Sequence, residues 1–417
     1  MSRTNAGREG RASRGSGARL AVIGAGPVGL EMALAADAAG YDVRVYEAGR
    51  VGAHLRRFAE IPLFTPFEMN STAVTRELLR RAGVALPADD ALLTAEALVA
   101  RYLEQAASLP ELRGRIHESS RVAAIARDDR AFLLRVESPE GSRFDSAEIV
   151  VDASGVVARP LLSGPGGIAA IGEDALGDRV DRHLLPTREA ARARFGGQCV
   201  LLIGSGHSAA TALAEFDAMA GEGAGPERVS WVRRGLDAGP PFAERGDDPL
   251  PERRALEQRA NAAAARAPWL TSLPGRSVFA YESLPGGALR VGLRSPRGVD
   301  ETLVVDRVLA LCGYRPDTDL YRELRVHLCY DSEAPMALAA ALVAARAADP
   351  SRAGDCLTQT THGPETLRTT EPGFYVIGAK SYGRAPDFLL RVGYQQVREV
   401  VALLARARPE TLAEAPA

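Results

Sequence analysis

The first glycine-rich turn of the chain lies in a stretch that allows few folds. Residues 20–49 read "LAVIGAGPVGLEMALAADAAGYDVRVYEAG". Four apolar residues predict a buried strand, the spacing G-x-G-x-x-G follows at once, and a run rich in Ala and Leu predicts a helix. Residues 43–46, "VRVY", predict a second strand. This order of elements indicates the opening unit of an α/β fold with a parallel sheet.

Each residue of this turn has its own predicted role. Gly24 allows the tight turn, Gly26 lets a pyrophosphate approach the backbone, and Gly29 lets the helix pack against the strand. The unpaired N–H groups of the helix N-terminus then face the phosphates. Glu47 lies 23 positions after Gly24, where a carboxylate can accept hydrogen bonds from a ribose diol. The unit therefore predicts a dinucleotide site, and its terminal acid suits FAD.

A second unit of the same kind begins at Cys199 with "CVLLIGSGHSAATALAEF". A predicted strand meets Gly204 and Gly206, Ser208 opens the predicted helix, and Ala209 takes the third glycine position. Alanine is allowed there because the position only needs a small side chain for close packing. The sequence thus predicts a second dinucleotide site.

The strand that follows the second turn reads "RVSWVRRG" and ends in Arg233 and Arg234 instead of an acid. Guanidinium groups bind a phosphate with two hydrogen bonds, whereas a carboxylate repels it. We therefore predict NADPH, with its 2′-phosphate, at this site; the alternative is a solvated arginine pair in an arginine-rich chain. His207, inside the turn, is either a mechanistic group or a neutral loop histidine beside the phosphates.

Two dinucleotide sites on one chain imply electron transfer between two cofactors. The predicted fold class is α/β, with two Rossmann-like dinucleotide-binding domains and the NADPH domain inserted into the FAD domain. The stretches "IVVDASGV" and "RVLALCGYRPD" are similar to those at which the chain crosses between the domains in flavoproteins with paired nucleotide domains, so we expect the crossings there. The predicted boundaries are a disordered tail over 1–18, the first part of the FAD domain over 19–185, the NADPH domain over 186–305, and the second part of the FAD domain over 306–417, with 318–370 as a substrate pocket or lid.

Two helices are predicted outside these units. Residues 248–267 predict an inserted helix whose charges form a solvated face, and "MALAAALVAARAA" within 318–370 predicts a helix with the composition of a packed core.

Composition excludes several classes of partner. Hydrophobic residues make up 46% of the chain, and the formal net charge is −2, which argues against nucleic acid or an anionic membrane as the main partner. No apolar run has the length of a membrane span, and the polar N-terminus has no signal peptide, so we expect a cytoplasmic protein. The cysteines lack the spacing of a redox pair or a zinc site, and we expect free thiols and no metal: Cys199, Cys312, Cys329 and Cys356.

At this point the chain resembles the NADPH-dependent single-chain flavin monooxygenases, which include the flavin-containing and the N-hydroxylating enzymes. "GSGHSA" is similar to their NADPH motif, and "DRVLALCGY" resembles the N-hydroxylating pattern with Cys312 in place of threonine. "FTPFEMNST" places Asn70 where flavin-containing monooxygenases have an asparagine near flavin and NADP. The usual F-x-G-x-x-x-H fingerprint of this family is not present cleanly, and the sequence around His183 matches it only loosely. Gly378-Ala379 stands where reductases have Gly-Asp.

This resemblance implies that NADPH reduces FAD and that a C4a-hydroperoxyflavin then oxygenates a nucleophilic nitrogen or sulfur, or a ketone. Small-molecule substrate and O2 are the implied partners. Asn70 would orient the nicotinamide or the oxygen; the alternative is a helix cap before residues 73–81. The other open functions are a flavin-dependent NAD(P)H oxidoreductase without oxygen insertion and a nucleotide sensor. Thioredoxin-reductase-like chemistry is disfavoured because no cysteine pair is present.

Lys380, in "GFYVIGAKSYG", is the only lysine among 51 basic residues. The strand before it ends at Gly378, and the resemblance implies that this strand delivers Lys380 and Gly378 to the flavin. Lysine is a compact point charge, whereas arginine is planar and larger. We therefore predict a catalytic or flavin-binding role for Lys380; the alternative is chance survival of a surface lysine.

Overall fold

The structure is a computed structural model that describes residues 17–411, apart from 237–238, 245, 247, 299, 349–356, 358 and 386–387. The tail predicted over residues 1–18 lies almost wholly outside this range, as does Cys356.

The strands of the described residues form two parallel and two antiparallel sheets. In chain order they are β1 (Arg19–Ile23), β2 (Asp42–Tyr46), β3 (Ile116–His117), β4 (Arg121–Arg127), β5 (Phe132–Ser138), β6 (Gly141–Ala147), β7 (Ile149–Asp152), β8 (Val180–Asp181), β9 (Cys199–Ile203), β10 (Arg228–Arg233), β11 (Leu270–Pro274), β12 (Ser277–Ser283), β13 (Leu289–Arg294), β14 (Asp300–Val305), β15 (Arg307–Ala310) and β16 (Phe374–Val376).

The helices of the described residues cover the parallel sheets. They are α1 (Pro27–Ala38), α2 (Ala53–Arg56), α3 (Ala73–Arg81), α4 (Ala95–Leu98), α5 (Glu104–Ala107), α6 (Arg188–Phe195), α7 (His207–Gly221), α8 (Pro251–Arg266), α9 (Met336–Ala348) and α10 (Leu390–Thr411), with a π-helical turn (Val99–Leu103) that joins α4 to α5.

The first parallel sheet has the order β16-β7-β1-β2-β3, and the second has the order β11-β10-β9-β15-β8. All neighbouring pairs in both sheets are parallel. The second sheet is built from residues 180–310, and the first is completed by β16 near the C-terminus. The prediction of an α/β chain with two Rossmann-like units, one inserted into the other, is therefore confirmed.

Both parallel sheets are buried on both faces, which explains why their strands are apolar without alternation. Leu20 and Val22 of β1 join the core under α1 and α10, whereas Ala21 and Ile23 join the core shared with β4 and β5. The second sheet follows the same rule between α7 and α8 on one face and β12, β13 and β14 on the other. Each unit is thus a three-layer sandwich of helices, parallel sheet and antiparallel sheet.

Two predictions about helices need correction. In α8 the side chains of Arg253 and Glu257 are buried, so its charges do not all form a solvated face. Arg253 lies 2.7 Å from Asp248, which offsets the cost of burying its charge. In α9, Val343 is 62% exposed and the second half of the helix has no buried side chain, so only its first half packs as a core.

The described residues contain no helix that is long and apolar enough to cross a membrane.

Candidate functional site

The first glycine turn lies where the carboxyl ends of β1, β2 and β7 meet. Gly24 has φ +97°, a conformation that favours glycine, and its N–H donates to the Tyr46 carbonyl over 2.8 Å. A Cβ on Gly24 would lie 2.8 Å from the Ala153 carbonyl oxygen, and one on Gly29 would lie 2.0 Å from the Gly24 carbonyl oxygen. These two glycines are required by the packing of the protein itself.

Gly26 differs from its neighbours because a Cβ there would meet nothing within 4 Å. It is the N-cap of α1, with Pro27 as the first helical residue and without a side chain that caps the helix. The N-terminus of α1 therefore faces open space with free backbone N–H groups, an arrangement that fits a pyrophosphate. The packing of the protein does not explain this glycine, whereas a ligand does.

Glu47 closes the same turn from the end of β2. One of its carboxylate oxygens accepts from Ala25 N and the other from Gly49 N, each over 2.8 Å. The carboxylate is thereby fixed beside the turn, and each oxygen keeps a further lone pair for a ribose hydroxyl. Gly378 also joins this place, because a Cβ on it would lie 3.7 Å from Val28 in the first turn of α1.

The second turn repeats this geometry in the inserted unit. Gly204 has φ +138°, and a Cβ there would lie 2.5 Å from the Leu311 carbonyl oxygen. Gly206 is the N-cap of α7 with nothing within 4 Å of its Cβ position, and Ser208 is exposed on the first turn of the helix. Ala209 is fully buried, as its close-packing role requires. This site therefore also fits a pyrophosphate.

The two arginines after the second turn are separated by the structure. Arg233 is only 7% exposed, its guanidinium lies 4.3 Å from the centre of the Trp231 ring, and it donates to Ser272 Oγ over 2.9 Å. Arg234 is exposed. Only Arg234 is therefore placed on the surface where a 2′-phosphate can reach it without rearrangement.

His207, the first residue of α7, is held from two sides. Its Nε2 lies 3.1 Å from Glu257 Oε1, and its ring contacts Phe64 edge to face. The other oxygen of Glu257 is buried without a hydrogen-bond partner among the described residues. The carboxylate of Glu257 in α8 thus reaches the second glycine turn, which the prediction of a solvated charged face for this helix did not include.

Asn70 is 5% exposed and fixes the loop before α3. Its amide nitrogen donates to the carbonyls of Thr65 and Pro66 over 2.8 and 3.1 Å, and its oxygen accepts from the Thr65 hydroxyl. The alternative of a helix cap is wrong, because Thr72 caps α3 by accepting from Thr75 N. Tyr394 of α10 donates to the Asn70 carbonyl over 2.7 Å, so this loop is tied to the C-terminal helix.

Lys380 is 1% exposed, so the alternative of a surface lysine is wrong. Its ammonium donates to Asp152 Oδ2 over 2.6 Å and to Ser154 Oγ over 3.2 Å, and it faces the Tyr321 ring at 5.2 Å. Asp152 ends β7, and a Cβ on Gly24 would lie 2.9 Å from Ser154 Cα. Lys380 therefore joins the segment after β16 to the backbone that supports the first glycine turn.

Three residues that the sequence did not bring together form a hydrogen-bonded chain between the two units. Arg57 follows α2, His183 follows β8, and Tyr314 follows β15. Arg57 Nη1 lies 2.7 Å from His183 Nε2, and His183 Nδ1 lies 2.9 Å from the Tyr314 hydroxyl. Arg57 and His183 are 126 positions apart in the sequence, and His183 and Tyr314 are 131 positions apart, so no local pattern could have indicated these contacts.

The cysteines of the described residues, Cys199, Cys312 and Cys329, are free thiols, as predicted. Burial and, to a smaller extent, the nearby Glu173 raise the pKa of the Cys312 thiol to about 11, so this thiol is protonated at neutral pH. Among the described residues no group of His, Cys, Asp or Glu has the arrangement of a metal site.

A cavity of about 580 Å³ lies between the two units. Its walls come from residues 60–64, from residues 184–195, from α7 and from α8, and they are mainly apolar. None of the described residues of the 318–370 segment lines this cavity.

Residues 21–221 match the sequence model of the pyridine nucleotide-disulphide oxidoreductase family. No curated protein sequence matches the chain. Among solved structures, a bacillithiol disulfide reductase from Bacillus cereus has a TM-score of 0.68 and 18% identity, over 94% of this chain and 99% of that one. An ornithine hydroxylase from Pseudomonas aeruginosa has a TM-score of 0.63 and 14% identity, over 94% and 99%.

An ornithine N-hydroxylase from Kutzneria sp. 744, a structure with reduced FAD, NADP+ and L-ornithine, has a TM-score of 0.61 and 16% identity, over 94% of this chain and all of that one. Identities this low establish a shared fold and no shared reaction. The family match over residues 21–221 and these full-length likenesses agree that the chain has the fold of the two-domain flavin- and pyridine-nucleotide-dependent oxidoreductases.

Proposed function

We propose that this protein is an FAD- and NADPH-dependent monooxygenase that oxygenates a nucleophilic nitrogen or sulfur, or a ketone, of a small molecule. The observation that carries the redox part is the pair of open helix N-termini. At Gly26 and at Gly206, the space that a side chain would fill is open. Close packing of the protein explains the other glycine and alanine positions of the two turns, but it does not explain these two. Two such places on one chain favour two dinucleotides that exchange electrons.

In this proposal FAD supplies the two-electron chemistry that takes hydride from NADPH and reduces O2. The overall reaction is balanced when NADPH, one proton, O2 and substrate give NADP+, water and the oxygenated product. The N-termini of α1 and α7 hold the pyrophosphates, Glu47 holds the adenosine ribose of FAD, and Arg234 holds the 2′-phosphate of NADPH. Ser208 and His207 line the phosphate end of the second site.

Asn70 and Lys380 act on the flavin side in this proposal. The contacts of Asn70 to Thr65 and Pro66 keep the loop before α3 in one conformation. Because these contacts use both N–H groups of its side chain, the proposed role of Asn70 beside the flavin is to position this loop. Lys380 holds Asp152 and Ser154 behind the first glycine turn. The segment 318–370 remains the proposed substrate pocket or lid, and Tyr321 within it contacts Lys380.

The choice of oxygenation over disulfide reduction rests on the cysteines. The sequence has no C-x-x-C pair to carry electrons from a flavin, and Cys312, which follows the Leu311 that packs against Gly204, is protonated at neutral pH because it is buried. The alternative is a flavin-dependent NAD(P)H oxidoreductase that passes electrons to an organic or disulfide acceptor. The likeness to a bacillithiol disulfide reductase favours that alternative.

The cofactor assignment is tested with matched glycine variants. We expect Gly26→Val to fold with the thermal stability of the wild-type apoprotein and to bind no FAD, because its side chain occupies only the ligand space. Gly29→Ala is the control that should destabilise the apoprotein, since its Cβ would lie 2.0 Å from a backbone oxygen. A Gly26→Val variant that retains bound FAD, or a wild type that binds FMN in place of FAD, would contradict the assignment.

Oxygenation is tested with the FAD-loaded wild type. The flavin is reduced anaerobically with NADPH, mixed with O2, and followed by its absorbance, while products from a screen of amines, thioethers and ketones are analysed for ¹⁸O from ¹⁸O2. We expect a transient absorbance distinct from oxidised and reduced flavin, and one ¹⁸O atom per NADPH in the product. Rapid turnover with disulfides or quinones and no incorporated ¹⁸O would favour the reductase.

A further inference from the structure

The chain of Arg57, His183 and Tyr314 links the surroundings of the two glycine turns. Arg57 follows helix α2, and Gly52 is the N-cap of that helix. The Gly52 N–H donates to the Ala25 carbonyl in the first glycine turn over 3.1 Å. Tyr314 lies three residues after Leu311, whose carbonyl oxygen lies against Gly204 of the second turn. This hydrogen-bonded chain of three side chains therefore spans the junction between the two units. A hydride must pass across that junction if the two turns hold FAD and NADPH.

The hydrogen bonds fix the tautomer of His183. Arginine only donates, so the Nε2 atom that faces Arg57 at 2.7 Å must carry a lone pair. In a neutral ring the proton then sits on Nδ1, which donates to the Tyr314 oxygen over 2.9 Å. The two rings are stacked, with centroids 5.5 Å apart and an interplanar angle of 13°, which holds this geometry.

This tautomer leaves the hydroxyl hydrogen of Tyr314 free. The Tyr314 oxygen accepts from His183, and no acceptor for its own hydrogen lies within hydrogen-bond distance among the residues that the structure describes. Burial raises the pKa of Tyr314, so the hydroxyl stays protonated at neutral pH. Burial, then Arg57 and Arg182, lower the pKa of His183, while Asp181 opposes them, which keeps the ring neutral.

The environment of Arg57 is also unusual. No carboxylate of the described part of the chain lies within ion-pair distance of its guanidinium. Its neighbour His54 has its pKa lowered to about 4 by burial, by Arg57 and by His183, although it remains accessible to solvent. Arg57 is itself exposed, so the junction presents its positive charge at the surface, joined through His183 to the neutral hydroxyl of Tyr314.

We propose that Tyr314 donates a hydrogen bond to a carbonyl oxygen of a cofactor ring at this junction, and that Arg57 and His183 are positioning residues that keep its hydroxyl hydrogen free for that bond. The inference rests on the proposed FAD and NADPH sites and adds a specific group to them. Two rings offer the required acceptor: the carboxamide of nicotinamide and the carbonyls of the flavin. A neutral donor suits both, because neither oxygen carries a full charge.

The central test is Tyr314→Phe, which keeps the stacked ring and removes only the O–H. Affinity for NADP+ is measured by calorimetry, and the visible spectrum and midpoint potential of bound FAD are measured without nucleotide. If the acceptor is the carboxamide, we expect a threefold to tenfold weaker NADP+ complex, about the effect of one neutral hydrogen bond, and an unchanged flavin. If the acceptor is the flavin, the spectrum and potential shift and NADP+ affinity does not.

Variants of the positioning residues separate this role from a structural one. His183→Asn places an amide nitrogen near the Nδ1 position and should retain part of the Tyr314 effect, whereas His183→Phe should reproduce Tyr314→Phe. Arg57→Met, at an exposed position that should not affect folding, should weaken the same readout as Tyr314→Phe. Phe144→Leu is the control, because Phe144 is exposed on β6, outside both glycine turns and the segment 318–370, and it should change neither readout.

Protonation provides a further readout. As the pH falls through the lowered pKa of His183, Nε2 gains a proton and can no longer accept from Arg57, whereas Nδ1 still donates to the Tyr314 oxygen. The wild type should therefore keep the Tyr314-dependent effect at low pH. Arg57→Met, in which Arg57 no longer fixes the tautomer, should regain that effect as His183 is protonated, and His183→Asn should show no such step. A wild type that binds both cofactors, with Tyr314→Phe and Arg57→Met unchanged in every readout, overturns this inference alone. A wild type that binds neither FAD nor NADP+ overturns the proposed function and this inference with it.

Discussion

Lys380 and Asp152 bury both of their charges completely. Removing an ammonium and a carboxylate from water costs several kcal/mol for each ion, so the pair persists only if its contacts return that energy. The ammonium uses Asp152 Oδ2, Ser154 Oγ and the face of Tyr321. A guanidinium is planar and carries five N–H donors, and this site offers it too few acceptors. The physical demand for a small cation explains why the only lysine of an arginine-rich chain lies here.

This pair leads to a prediction about stability. Lys380→Met leaves a buried carboxylate without its cation, and we expect the free energy of unfolding of the apoprotein to fall by about 3–5 kcal/mol. Lys380→Arg should also destabilise, and Lys380→Met combined with Asp152→Asn should cost less than the sum of the single changes. Denaturant unfolding is measured for the wild type, Lys380→Met, Lys380→Arg, Asp152→Asn and the double variant. Arg121→Met, in an exposed pair with Glu137, is the control and should cost less than about 1 kcal/mol. Wild-type stability of Lys380→Arg would show that the site does not discriminate between the two cations.

At the scale of elements, β10 shows what the sequence contained and what it did not. Strand residues two apart share a face, so Trp231 and Arg233 lie together, and Arg234 begins the next loop. That alternation was available in "RVSWVRRG", and it would have separated the two arginines. The two glycine turns, the strands β1, β2, β9 and β10 and the helices α1 and α7 followed from local patterns in the same way, whereas the antiparallel strands β4–β6 and β12–β14 were not predicted. The contacts of Lys380 with Asp152 and of His183 with Tyr314 could not, because each joins segments more than 100 positions apart.

The separation of the two arginines predicts unequal effects on nucleotide binding. Arg234→Ala should weaken NADP+ roughly tenfold to a hundredfold, because one charge-assisted contact to the 2′-phosphate is worth about 1.5–3 kcal/mol. NAD+ should bind Arg234→Ala about as well as the wild type. Arg233→Ala removes the stacking on Trp231 and should lower thermal stability, with both nucleotides affected alike. Calorimetric titration of both nucleotides against each variant checks this, and equal loss of NADP+ and NAD+ in Arg234→Ala would contradict the 2′-phosphate assignment.

At the scale of the whole molecule, the two units repeat one plan and meet along few polar contacts. Glu60 N donates to the Pro186 carbonyl over 3.1 Å, and Arg188 N donates to the Glu60 carboxylate over 2.8 Å. The hydrogen-bonded chain from Arg57 through His183 to Tyr314 also joins the two units. Since both histidines at this junction, His54 and His183, have lowered pKa values, the contact between the units depends on their neutral forms.

This dependence predicts that acid weakens the junction. The pKa of His54 is near 6.5 in the unfolded chain and about 4 in the folded protein. Between pH 6.5 and pH 4 the unfolded chain therefore binds more protons than the folded protein. The contribution of neutral His54 to stability is thus complete above pH 6.5 and is lost as the pH falls toward 4. Each imidazolium formed there also repels Arg57, and Arg182 adds to the repulsion at His183 while Asp181 reduces it.

The carboxylates elsewhere titrate in the same range, so the informative quantity is the difference between the wild type and a variant with His54→Gln and His183→Asn. We expect the variant to lose less thermal stability than the wild type between pH 7 and pH 4.5, and small-angle scattering to show a smaller increase in its radius of gyration. His362→Gln, which changes a histidine of lowered pKa outside the junction, is the control and should leave the scattering of the wild type unchanged. Identical pH dependence of wild type and double variant in both measurements would show that the junction does not respond to these two histidines.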